Sequence, residues 1–112
     1  VTNTVRKPMV ELSATVPVAP DAVLAKVVAA ITEAGGGRIE VDRELRTVAV
    51  QGGWWYRGEY QVDATADGAR LTHRVRNVAR RGRWAVPLAN RLFIGFRAQT
   101  ERNFADFVAG LA

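Results

Sequence analysis

From Pro87 to Ala112 the chain places its apolar residues where only a long amphipathic helix gathers them on one side. On a helical wheel centred on Phe96, the residues Ala85, Leu88, Ala89, Leu92, Phe93, Thr100, Asn103, Phe104, Phe107 and Leu111 fall within about 80° of that centre. Arg91, Ile94, Ala98, Glu101, Arg102 and Ala105 take the opposite side. Pro87 suits a first helical turn, where its missing N–H costs nothing. At about 1.5 Å per residue such a helix is roughly 37 Å long, against a radius of gyration near 13 Å for a domain of about 100 residues. It therefore crosses the molecule and needs a broad apolar surface beneath it, which points to a sheet.

The remainder of the 112 residues supplies that sheet, and the length suits one domain, residues 1–112. Val1 to Pro8 read as a polar, flexible lead without the apolar centre of a secretory signal. Met9 to Val16 alternate, with Val10, Leu12, Ala14 and Val16 on one face and Glu11, Ser13 and Thr15 on the other, as in a half-buried strand. Pro17 stops it, and Pro20-Asp21 opens a helix whose stripe is Val23, Leu24, Val27, Ala30, Ile31 and Ala34. Gly35-Gly36-Gly37 ends that helix, because glycine takes the left-handed cap freely. Ile39 and Val41 begin a second strand, a charged turn spans Asp42 to Leu45, and Thr47 to Gln51 form a third.

Asp67-Gly68 predicts a two-residue hairpin loop. Ala66 then faces Ala69, which pairs Val62 with His73, Tyr60 with Val75 and Gly58 with Asn77 on the apolar face. Asp63 with Thr72, Gln61 with Arg74 and Glu59 with Arg76 fall on the polar face. The expected order is β-α-β-β-β-β-α: an α+β protein whose antiparallel sheet is covered by the C-terminal helix.

The segment Val16-Pro17-Val18-Ala19-Pro20-Asp21-Ala22-Val23, the hairpin from Gly58-Glu59-Tyr60 to Val75-Arg76-Asn77, and the closing helix from Phe96 to Leu111 together resemble the SRPBCC or START-like superfamily. That superfamily has the helix-grip fold and includes polyketide cyclases/dehydrases, lipid-transfer domains and pollen-allergen-like proteins. Its members usually have more strands and a second small helix, so the resemblance is to a shortened member. It implies an apolar ligand held between the sheet and the terminal helix. The residues expected to line that space are Tyr56, Tyr60, His73 and Asn77 from the hairpin, with Phe96, Thr100 and Asn103 from the helix.

A dry cavity of about 300 Å³ would cost roughly 7 kcal/mol, a large part of the roughly 5–15 kcal/mol that stabilises a domain. A narrow or open groove is therefore expected, which a second subunit of an oligomer could complete. The resemblance also admits an enzyme of the cyclase/dehydrase kind, with His73 and Tyr60 as acid and base. His73 is the sole histidine, yet every carboxylate of the predicted hairpin points away from it. Cysteine is absent, which leaves no disulfide, thiolate metal site or cysteine nucleophile, and no metal or other cofactor is expected.

The charge of +5 is uneven: residues 1–69 carry 7 basic and 9 acidic side chains, residues 70–112 carry 9 and 2. All nine basic residues of the second part are arginines, from Arg70 to Arg102. With Trp54, Trp55 and Trp84 they suggest a further alternative, a binder of RNA or of an acidic partner through stacking and phosphate contacts. No apolar run reaches the roughly 18 residues of a membrane span, and a cytoplasmic location is expected.

Overall fold

The computed structural model describes residues 9–35, 37–52, 56–77 and 96–111. Strand β1 (Val10–Val16) is followed by helix α1 (Pro20–Ala34), then by β2 (Arg38–Asp42), β3 (Thr47–Gly52), β4 (Tyr56–Thr65) and β5 (Gly68–Asn77), and by helix α2 (Phe96–Leu111). The strands form one antiparallel sheet in the order β1-β5-β4-β3-β2. The α+β class and the antiparallel sheet are as the sequence indicates. Of the helix predicted over 87–112, residues 96–111 are helical, and 87–95 lie outside the described residues.

Alternation sets the faces of the sheet. Val10 and Val16 of β1 are buried while Glu11, Ser13 and Thr15 are exposed. Pro20 sits in the first turn of α1, and Gly35 closes the helix with φ of 66°, its N–H donating to the Ile31 carbonyl. Between β2 and β3, Asp42 Oδ1 accepts from the N–H groups of Glu44 and Leu45 at 3.1 and 3.0 Å, an Asx turn. Arg46 completes that turn at φ of 54°. Its carbonyl accepts from Val62 N–H, and its guanidinium reaches Asp21 at the start of α1.

The β4–β5 register differs from the expected one by two residues. Thr65 pairs with Gly68, so the loop is Ala66-Asp67, and Tyr60 lies opposite His73 rather than Val75. Gly68 is needed for space rather than for the turn. A Cβ there would collide with the Val16 carbonyl oxygen, where β1 leaves the sheet beside it. Because side chains alternate with a period of two, the shift keeps every residue on its predicted face. The polar face keeps its ion pairs as well. Glu59 meets Arg76 at 2.6 Å and Arg57 at 3.0 Å, while Arg74 turns to Glu11 of β1 at 2.6 Å.

The expected cover by the terminal helix is shared. Helix α1 packs over β3, β4 and β5, and α2 lies against β1. The aliphatic core gathers towards the β4–β5 turn, where Val16, Val62 and Leu71 of the sheet meet Val23, Leu24 and Val27 of α1 and Leu111 of α2. Beyond it, towards the start of β4, the same sheet face carries Tyr56, Tyr60 and His73.

Candidate functional site

A half-open groove of about 280 Å³ lies between the C-terminal half of α1, the sheet and α2. Val27, Ala30, Ile31 and Ala34 form the α1 wall; Tyr56, Tyr60 and His73 come from the sheet; Thr100, Asn103, Phe104 and Phe107 come from α2. None of these residues carries a charge at neutral pH.

Among the described residues His73 is the most enclosed polar one, with 4% of its surface exposed. Its Nδ1 is 3.2 Å from the Glu59 main-chain oxygen. A carbonyl oxygen only accepts, so Nδ1 carries the proton and Nε2 presents a lone pair. The imidazole stacks on the Tyr60 ring at 4.2 Å between centroids, 13° from parallel, and lies as nearly parallel to Phe104 at 6.2 Å. Burial lowers the His73 pKa below the usual imidazole value, against an opposite pull from the Glu59 carbonyl. Burial also raises the Tyr60 hydroxyl to about 12, with Tyr56 adding to the shift, and burial raises Tyr56. All three groups are thus held in their neutral forms.

Tyr56 lies folded over Gly58, where an added Cβ would stand 2.7 Å from its hydroxyl oxygen. Asn103 lines the groove while remaining exposed, its Oδ1 accepting from Gln99 Nε2 at 2.8 Å. Tyr56, Tyr60, His73, Thr100 and Asn103 therefore border one groove. The side chains of Asn77 and Phe96 lie outside the described ones.

The α1 wall was assigned by sequence to the core alone. The sign that it borders a space is Ala30 and Ala34, four apart, where a packed stripe would carry larger side chains. The Glu59 carbonyl as orienting partner of His73 has no sequence signal, because any residue supplies that oxygen.

Among the described residues no group of His, Cys, Asp or Glu is placed to hold a metal ion. No described helix is long and apolar enough to cross a membrane. Arg74 and Arg76 are engaged with Glu11 and Glu59. Trp54, Trp55, Trp84, Arg80, Arg81, Arg83 and Arg91 lie outside the described residues. No protein-family model matches this chain, and neither a curated protein nor a solved structure matches it.

Proposed function

We propose that this chain is a shortened helix-grip domain of the START-like kind that binds a small hydrophobic or aromatic molecule between its sheet and helices. The observation that carries the reading is the groove itself: an uncharged concavity of about 280 Å³ with aliphatic and aromatic walls and a few polar groups among them. Ligand sites commonly combine those features, starting from volumes of about 300 Å³. A close-packed core, by contrast, leaves few voids larger than a water molecule. An acid–base role for His73 and Tyr60 has less support, since a main-chain carbonyl rather than a carboxylate orients the imidazole.

The test is titration of the purified protein with a fluorescent apolar probe such as N-phenyl-1-naphthylamine, alongside native mass spectrometry of the protein as isolated. Saturable binding of one probe per chain, or a co-purifying apolar molecule, is the expected result. Absence of both probe uptake and any bound molecule would overturn the reading.

A further inference from the structure

We infer that the groove selects an uncharged ligand bearing a hydroxyl group, which donates to His73 Nε2 and accepts from the Tyr60 hydroxyl, and that it rejects carboxylates. This rests on the reading of the groove as a ligand site and adds the chemistry of what enters it.

Two polar atoms in the lining are unspent. His73 uses Nδ1 on the Glu59 carbonyl, and among the described residues nothing bonds its Nε2. The Tyr60 hydroxyl likewise has no hydrogen-bond partner among the described residues, although the residue is half-buried. Buried polar groups are paired in the great majority of cases, so the open Nε2 of buried His73, beside a Tyr60 hydroxyl that is also without a partner among the described residues, points to a ligand group that bonds both. Their rings are stacked at 4.2 Å, which makes them neighbours on one wall. One is an acceptor; the other is a hydroxyl that donates. A ligand hydroxyl is donor and acceptor in a single group and satisfies both.

A carboxylate offers only acceptors, so it would set a lone pair against that of Nε2. It would also bring a charge into a lining that, among the described residues, holds no lysine or arginine to balance it. A hydrocarbon of the same shape would fill the groove and leave both atoms unpaired. Discrimination against it follows the general rule that a site built to hydrogen-bond a group rejects the analogue lacking it.

The experiment uses the full 112-residue chain and a matched series: 2-naphthol, 2-methylnaphthalene and 2-naphthoate, titrated calorimetrically at pH 7.5. The expected order is 2-naphthol tightest, by about tenfold or more over 2-methylnaphthalene, with 2-naphthoate weakest. In His73→Phe, which keeps a ring in the stack, the advantage of 2-naphthol falls below about threefold while 2-methylnaphthalene binds as before. Tyr60→Phe provides the same comparison from the other group should the first variant fail to fold by circular dichroism. The inference is overturned if 2-naphthoate binds as well as 2-naphthol, or if the preference survives in the variants. If no member of the series binds, the ligand-site reading falls first and takes this inference with it; binding without discrimination sinks the inference alone.

Discussion

Tyr60 on β4 and His73 on β5 are direct cross-strand partners, and their rings stack 4.2 Å apart at 13° from parallel. This pair marks where the molecule changes character. On one side of it the sheet face is aliphatic and closed by Leu111 of α2; on the other it is aromatic and left partly open. Aromatic cross-strand pairs contribute about 0.5–1.5 kcal/mol beyond their buried area, so the groove wall helps to hold the sheet together.

Removing that ring has a cost that a replacement ring largely avoids. His73→Ala is expected to destabilise by about 2–4 kcal/mol, combining a cavity with the lost stack. His73→Phe is expected to stay within about 1.5 kcal/mol of the natural protein, as volume-conserving swaps do. Urea midpoints with unchanged slopes would check both, and equal losses in the two variants would contradict a role for the stack.

Stability also depends on pH through the same residue. Above the ordinary imidazole value of 6.5 His73 is neutral whether the chain is folded or not, and this group contributes no slope. As pH falls below 6.5, the unfolded chain takes up a proton that burial makes the folded chain resist, so stability drops. Glu59 acts in a lower window. Burial pushes its carboxyl up, but hydrogen bonds and charge from Arg76 and Arg57 outweigh this and hold it below the usual 4.5, so its loss begins only beneath that value. Denaturation curves between pH 7.5 and 5 are therefore expected to show a falling midpoint that His73→Phe removes.

The faces of β4 and β5 were legible in the sequence, and their register was not. Alternation assigns Tyr60, Val62, His73 and Val75 to one side under any even shift, so pattern alone cannot separate pairings two residues apart. The turn signal misled because Gly68 answers the approach of the β1 end rather than a left-handed turn; neither Ala66 nor Asp67 takes a positive φ. Tyr56, Tyr60 and His73 still face the groove together because an even slip leaves their face intact, and Thr100 and Asn103 join them from α2. The α1 wall escaped notice because helical periodicity tells which side is apolar, not how much room it leaves.

Two glycines separate these effects. At Gly68 an added Cβ meets main-chain atoms of Val16, Pro17 and Val18, which cannot turn away without moving β1. At Gly58 the obstacle is the far end of the Tyr56 side chain, at 2.7 Å from its oxygen and 3.1 Å from two ring carbons. Gly68→Ala is expected to cost more than about 3 kcal/mol or to prevent folding. Gly58→Ala should cost about 1–2 kcal/mol, and much of that should vanish in a Tyr56→Ala background. A double-mutant cycle by chemical denaturation measures the coupling.

Filling the groove tests its use without touching the polar pair. Ala30 is exposed on α1 yet borders the space, so a large side chain there has both room and an apolar wall to lie against. Ala30→Trp buries apolar area at about 25 cal/mol per Å² while losing little helix propensity, at most about 0.7 kcal/mol. The variant is therefore expected to be as stable as the natural protein or slightly more so. Its affinity for the apolar probe should fall at least about tenfold, equivalent to roughly 1.4 kcal/mol. Probe titration and thermal melting on the same sample read the two quantities together. Unchanged binding with unchanged stability would place the probe somewhere other than between α1 and the sheet.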